Sequence, residues 1–447
     1  MIMLPMKKLK SKYNKLLNNN EFERYFKNTL WLFGEKLFRL ALNFFVIILL
    51  TRYLGPENYG LLSYSQSLVG VFVAFSTLGL EVILVRELTK NKNKSDVILG
   101  TALALKLLVS VILILIVCLV NLDIQDTDSV TLTNIIVFSL IFQSLNLGID
   151  TYFQANVLSR MTSISNIIVT TISSLTKLGL IYFEAELIYF AYVLVFDSFL
   201  IFIGYVYIYT IQKKSIRSLK YDGQMAIYLL KTGWPLLMVA MAVFLYTKID
   251  LIMIKHLIDN KAVGNYAAAV RVSEIFYFIP LLITQSIFPK LMDVKQKGEE
   301  EYFKFLEETY KYLVWCTIPI AFGIFTFSDL IISILYGEQY TQASSILSIL
   351  SFAVVLNAIG AITTKVLYVE HFEKKYLYRS LLGMCVNIAL NFWLISLFGV
   401  VGAAVSTIIT LFVIFYAYDI FDKDLHKFFY LKIKCFMPIT INKLGIK

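Results

Sequence analysis

Apolar residues run through this chain in blocks of twenty or more, longer than the stripe of a surface helix needs. Such blocks fall near 28–51, 58–80, 97–121, 130–154, 161–183 and 187–211. A polar break from Gln212 to Gln224 follows, carrying Lys213, Lys214, Arg217 and Lys220. The pattern resumes near 227–254, 262–289, 306–328, 341–369, 376–398 and 400–421. A helix needs about 20 apolar residues to cross a ~30 Å hydrocarbon core, so each block predicts one transmembrane helix. The pattern predicts an all-α polytopic membrane protein of about 12 spans, since only helices satisfy their backbone polar groups within one segment in lipid. The expected organisation is a basic N-terminal segment (1–27), an N-lobe (28–211), a linker (212–226), a C-lobe (227–421) and a basic tail (422–447). The tail alternates Phe428, Phe429, Tyr430, Ile433 and Phe436 with Lys427, Lys432 and Lys434, the pattern of an interfacial amphipathic helix.

Composition narrows the class. Of 447 residues 58% are apolar and only 16% charged, which excludes a soluble globular enzyme. The net charge of +10 is read as loop charge, not as a nucleic-acid footprint. With the N-terminus inside, the outward loops carry only Arg52, Lys255 and Lys261. The termini and inward loops carry 29 of the 41 Lys and Arg, counting Arg379, at the edge of the eleventh segment, with the loop before it. That asymmetry predicts cytoplasmic termini at both ends. Met1 to Asn20 has no apolar core or cleavage site, so the first span is expected to insert as an uncleaved anchor.

Candidate chemistry is sparse outside the membrane. The outward loops are short, no phosphate-binding GxxxxGK[ST] or HExxH motif is present, and the histidines are His256, His371 and His426 alone. Cys118, Cys316, Cys385 and Cys435 share no paired spacing, so neither a disulfide framework nor a zinc site is expected. The sequence therefore predicts no catalytic residues, metal or cofactor, and any driving force must be an ion gradient or the substrate's own.

Charges inside the spans are another matter, since each costs roughly 2.5–3.5 kcal/mol at mid-bilayer on insertion scales. Glu35, Arg39 and Asn43 recur at i, i+4, i+8 and form a polar stripe, with Lys36 beside it. Lys36 and Lys231 lie close enough to the inner boundary to snorkel. Lys248 and Asp250 read as an interfacial pair near the outer boundary, and Arg271 and Glu274, at i, i+3, as mutual neutralisers. Lys106, Lys177 and Lys365 have no local carboxylate and predict a hydrated cavity. Nine cations fall within the segments, against the five carboxylates singled out there, Glu35, Asp150, Asp197, Asp250 and Glu274. Arg and Lys bind phosphate strongly where water is scarce, so the surplus favours an anionic substrate. The candidates for anion binding are Lys36, Arg39, Lys106, Lys177, Arg271 and Lys365. Those for ion coupling are Glu35, Asp150, Asp197 and Glu274. The 35 Phe and 28 Tyr are read mainly as interfacial belt and packing.

Two motifs echo each other at the starts of the halves. Tyr53-Leu54-Gly55-Pro56-Glu57-Asn58-Tyr59-Gly60 follows the first span, and Ala262-Val263-Gly264-Asn265-Tyr266-Ala267 follows the seventh. Six spans per half would make such repeats parallel, related by an axis along the membrane normal.

The motifs also resemble a known family. Arg52 to Gly60, Leu78-Gly79-Leu80 and Arg86-Glu87 are similar to the opening of the bacterial polysaccharide (O-antigen and capsule) repeat-unit flippases. That family belongs to the multidrug/oligosaccharidyl-lipid/polysaccharide (MOP) exporter superfamily. Val263-Gly264-Asn265-Tyr266, Ala269, Arg271, Pro280 and Pro289 look like its eighth span, and Leu335-Tyr336-Gly337-Glu338-Gln339-Tyr340 the turn before its tenth. Val386-Asn387-Ile388-Ala389-Leu390-Asn391 and Phe398-Gly399-Val400-Val401-Gly402-Ala403-Ala404 resemble the junction of its last two spans. The resemblance, over about residues 28–421, implies a MATE-like fold of two six-helix lobes with alternating access. It implies an oligosaccharide on a polyprenyl pyrophosphate as cargo, H+ or Na+ as coupling ion, polysaccharide polymerase machinery as a partner, and the bacterial inner membrane as location. Rivals on the same fold are a peptidoglycan-precursor flippase and a multidrug/ion antiporter. A membrane polysaccharide polymerase would need a large outward catalytic loop, which this chain lacks.

Overall fold

The computed structural model describes residues 20–212 and 215–437. Residues 1–19, Lys213, Lys214 and 438–447, which hold most of the expected basic segment and parts of the linker and tail, lie outside the described residues. Every regular element among the described residues is helical. The long helices are α1 (Asn20–Ser76), α3 (Ser95–Val120), α6 (Ser159–Tyr182), α7 (Leu187–Ile211), α8 (Gly223–Leu257), α9 (Asn260–Lys297), α10 (Glu299–Tyr336), α11 (Ala343–Val369) and α12 (Glu373–Phe398). Shorter ones are α2 (Glu81–Lys90), α4 (Thr127–Ile136), α5 (Ser139–Ala155), α13 (Val400–Phe412) and α14 (His426–Lys434). A π-helical turn, Val413–Ala417, and one α turn, Tyr418–Phe421, extend α13.

Eleven helical runs among the described residues are long and apolar enough to cross a membrane. The first, Trp31–Lys90, has 60 residues, about 90 Å of helix at 1.5 Å per residue and far more than one crossing needs. It holds the first two expected spans, because α1 is broken at Gly55, whose φ of 68° is non-helical, and at Pro56, which has no N–H to donate. The carbonyls so freed find other donors. Tyr340 Oη donates to Thr51 O at 2.7 Å, and Gln339 Nε2 to Arg52 O at 2.9 Å. The expected span at 130–154 is likewise two helices, α4 and α5, parted at Val137–Phe138.

The chain forms two compact units. Unit 1 comprises residues 1–50 and 72–237, and unit 2 comprises 51–71 and 238–447. Unit 1 is built on a core of Leu80, Leu84, Ile98, Leu99, Ala102, Phe153 and Leu229. The other face of its α3 exposes Leu107, Leu108, Val111, Ile112, Leu115 and Ile116, as a helix apolar all round does when lipid covers its outer face. Unit 2 has the larger core, with Tyr302, Leu306, Tyr310, Ile359, Ile362 and Val366.

Within unit 2 the two echoing motifs meet. A Cβ on Gly60 would lie 1.8 Å from Asn260 O, and one on Gly264 would lie 1.9 Å from Pro56 O. The glycines therefore permit backbone-to-backbone contact between α1 and α9, the close approach that small residues allow in membranes. Asp259 caps α9, accepting from Ala262 N at 2.7 Å.

The tail helix α14 forms, with Phe428, Leu431 and Cys435 buried in the core of unit 2 and Tyr430, Ile433 and Phe436 exposed.

Candidate functional site

In unit 1 the stripe on α1 is a pair: Arg39 Nη1 donates to Glu35 Oε1 at 2.9 Å, with Glu35 3% exposed and the Arg39 side chain 40% exposed. Lys36, on the same helix, is exposed. Asp150 accepts from Gln154 at 2.7 Å and lies within electrostatic range of Glu35 and Lys36. Asp150, Arg39 and Glu35 are all felt by Tyr205, which donates to Asn166 at 3.1 Å. Helices α1, α5, α6 and α7 thus converge one acidic pair of side chains, two cations and polar partners.

The hydrated cavity expected around Lys106 and Lys177 is not what surrounds them. Lys106 is fully buried, its ammonium donating to Glu81 Oε1 at 3.1 Å and to Thr77 O at 3.0 Å. Glu81 lies 25 residues away, at the start of the separate helix α2, so sequence proximity could not reveal it. Lys177 pairs with Asp197 across α6 and α7 at 3.0 Å and with Ser173 at 2.8 Å. A buried cation beside a carboxylate needs no cavity. Lys365 is half-buried over the ring of Phe288, 5.2 Å from its centroid.

Unit 2 holds the arrangement with the strongest anion-binding character. Glu274 accepts from Lys248 at 2.5 Å and from Arg271 at 3.4 Å, so two cations share one carboxylate. This corrects the pairing of Lys248 with Asp250. A cleft of about 130 Å³ beside them is lined by Ser63, Gln66 and Ser67 of α1, Lys248 of α8 and Arg271 of α9. The polar face of α1 results from Ser63, Gln66, Ser67 and Gly70 recurring at helical spacing, and Gly70 admits the ring of Phe244, 2.4 Å from where its Cβ would sit.

Asp250 lies deeper than its place near a segment end suggested, at 2% exposed. It accepts from Tyr266 Oη at 2.5 Å, Thr407 Oγ1 at 2.8 Å and Asn391 Nδ2 at 2.5 Å. Asn391 Nδ2 also donates to Asn387 Oδ1 at 3.0 Å, while Asn391 Oδ1 is buried without a partner. A second missed cluster joins Arg379, Asp419 and Lys432. Asp419 accepts from Arg379 and, at 2.6 Å, from Lys432, and all three are at most 2% exposed. Asn387 and Asn391 at i, i+4 in an apolar helix were the available signal for the first cluster. For the second there was only Arg379 at the edge of a segment. Among the described residues no group of three or more His, Cys, Asp or Glu is placed to hold a metal ion.

Comparison with known proteins gives the geometry a context. Residues 25–295 match the family described as polysaccharide biosynthesis protein, and residues 224–442 match lipid II flippase MurJ. A probable low-salt glycan biosynthesis flippase of Haloferax volcanii is 29% identical over 37% of this chain and 35% of its own length. A putative O-antigen transporter of Shigella dysenteriae is 23% identical over 40% of this chain and 45% of its own. The chain thus aligns with less than half the length of these curated relatives. Among solved structures, an inward-facing multidrug resistance MATE family transporter of the MOP superfamily superposes with a TM-score of 0.70 at 13% identity, over 87% of this chain and 96% of that one. Lipid II flippase MurJ, in an inward closed conformation, gives 0.69 at 19% identity, over 91% and 90%. The expected all-α MOP fold is therefore the observed one. With its family match running over more than half of its length, the chain belongs to the polysaccharide biosynthesis protein family.

Proposed function

We propose that this protein is a flippase that carries oligosaccharide units linked to polyprenyl pyrophosphate from the cytoplasmic to the outer leaflet, and is not an enzyme. The observation that carries the reading is the cleft at Lys248 and Arg271. Its two cations share one carboxylate, so an excess positive charge faces hydroxyl and amide side chains from Ser63, Gln66 and Ser67. A pyrophosphate is the complement of that set: Arg271 offers a fork of donors, Lys248 a point charge, and the α1 side chains neutral hydrogen bonds. The pairing of Lys106 and Lys177 narrows the cationic argument to this cleft and to Lys36, Arg39 and Lys365.

Coupling to H+ or Na+ calls for a carboxylate whose partners change when it is neutralised. Glu35, Asp150, Asp197 and Glu274 stay candidates. Asp250 joins them, because it is buried and its hydroxyl partners Tyr266 and Thr407 can turn to accept from it once it is protonated. We take the lobes as 28–211 and 227–421, both termini as cytoplasmic and the bacterial inner membrane as the location, with polysaccharide polymerase machinery as a partner downstream.

The test replaces Arg271 and Lys248 by Gln in the full chain and follows surface polysaccharide and membrane abundance together. The reading expects normal abundance and a loss of polysaccharide of at least about tenfold, the effect of removing ~1.4 kcal/mol of binding. Full polysaccharide in both variants would sink the assignment. The similarity to lipid II flippase MurJ over residues 224–442 supports a second reading, peptidoglycan precursor as cargo. Rescue of a strain depleted of its lipid II flippase would favour that reading.

A further inference from the structure

Unit 1 carries a second basic feature, beside the Lys106–Glu81 pair and the Gln154 that donates to Asp150. Helix α2 buries Ile83, Leu84, Glu87 and Leu88 and turns Val82, Val85, Arg86, Thr89 and Lys90 towards an open groove of about 530 Å³, completed by Glu81 and Gln154. One side of the groove is apolar and Val82 is 70% exposed; the other side is cationic. The acid in its lining, Glu81, is answered by the buried Lys106, and Glu87 on the opposite face is occupied by Arg86, Asn91 and Tyr228.

The fold adds a distant basic stretch to the same end. Lys220 N donates to Asp96 O at 3.2 Å, Asp222 N donates to Thr101 Oγ1 at 3.0 Å, and a Cβ on Gly100 would touch Lys220 O at 2.6 Å. Arg217 and Lys220 therefore gather with Lys90, Lys92 and Lys94, all exposed, and these five form no ion pair among the described residues. Tyr221, Tyr228 and Trp234 are exposed close by in the chain, at 64%, 42% and 58%, as aromatic side chains are at headgroup depth.

We infer that this groove seats the headgroup of an anionic glycerophospholipid of the surrounding bilayer, its phosphate against Arg86 and Lys90 and its acyl chains along Val82 and Val85. Basic residues clustered on an amphipathic element beside a span attract anionic lipid, and the groove adds a shaped seat to that attraction. The outward opening and the exposed Val82 favour a bilayer lipid over the transported one, whose large sugar headgroup would meet few polar partners in this lining.

The test uses the full chain, purified and examined by native mass spectrometry with phosphatidylglycerol or phosphatidylcholine, and with polyprenyl diphosphate as competitor. Retention of phosphatidylglycerol should exceed that of phosphatidylcholine by about tenfold. Arg86→Gln with Lys90→Gln should reduce it at least about fivefold, and Thr89→Trp, which fills the groove without changing charge, should do the same. Lys374→Gln with Lys423→Gln, an equal charge loss in unit 2, should leave retention unchanged, and lipid-free thermal unfolding checks that each variant is folded. Equal retention of the two phospholipids, undiminished binding by Thr89→Trp, an equal drop in Lys374→Gln with Lys423→Gln, or displacement by equimolar polyprenyl diphosphate would each overturn the inference. Because the readout is binding of a bilayer lipid, it stands or falls independently of cargo transport.

Discussion

Asp419 is the hinge of a buried cluster in which Arg379 and Lys432 outnumber their carboxylate. Lys432 also donates to Phe415 O at 2.7 Å, a carbonyl of the π-helical turn. Removing the shared carboxylate leaves two buried cations, whereas removing Lys432 leaves a one-to-one pair. Asp419→Asn should therefore cost about 3–5 kcal/mol, and Lys432→Met within about 1 kcal/mol, in denaturant or thermal unfolding of the purified protein. Burial lowers the Lys432 ammonium from 10.5 to about 8 despite Asp419, and burial raises the nearby Cys435 thiol to about 11. The unfolded chain then binds more protons at position 432 between pH 8 and 10.5, so stability from this group rises with pH across that window. Cys435 acts oppositely, its stabilising contribution being lost above pH 9. The expected result is a Tm that climbs between pH 8 and 9 in the native chain and stays flatter there in Lys432→Met; equal slopes would exclude this role. Arg379 was legible only as an ambiguous edge residue, because hydropathy reports no tertiary partner, and Asp419 and Lys432 are 40 and 53 positions on. Asp250 escaped for a related reason: its donors come from three other parts of the chain. Asp250→Ala strands Tyr266, Thr407 and Asn391, at about 1–3 kcal/mol for each donor left unsatisfied, while Asp250→Asn should fold and lose the ion dependence of transport.

At the scale of elements, the glycine-bearing motifs are where sequence and structure agree most closely. Gly55 breaks α1, and Gly60 and Gly264 let α1 and α9 touch backbone to backbone. Spacing alone suggested tight turns and close approach, but not that each motif's neighbour is the other motif. Gly60→Ala and Gly264→Ala should each abolish accumulation of folded protein, since the new methyl would meet a fixed carbonyl. Gly323→Ala, where nothing lies within 4 Å, should be neutral or raise stability by up to about 1 kcal/mol. Fluorescence-detected size exclusion of the three variants separates these outcomes. Helix lengths were less legible. α9 and α10 run for 38 residues each, well beyond the apolar blocks at 262–289 and 306–328, because polar residues around Gly298 continue the helices outside the apolar zone. Hydropathy sees the hydrocarbon boundary, not the helix end. The break at Val137–Phe138 has no glycine or proline to announce it.

For the whole molecule, the number of spans and the class of fold follow from the apolar blocks, with the broken first helix accounting for two of them. Chain order does not reveal that residues 51–71 belong with 238–447 in one compact unit, since that membership rests on packing between segments some 200 positions apart. The surplus of intramembrane cations was visible as a count, but its meaning changed once Lys106 and Lys177 had found carboxylates. What is left concentrates at Lys248 and Arg271, and the central claim is that this charge receives a pyrophosphate during transbilayer movement. The direct measurement reconstitutes the full chain in liposomes with fluorescent polyprenyl-pyrophosphate oligosaccharide in one leaflet and follows quenching from the other under an imposed ion gradient. The account predicts gradient-dependent movement of this lipid, slowed at least about tenfold by Arg271→Gln with Lys248→Gln. Movement of a cationic dye in its place, or of no substrate under any gradient, would contradict it.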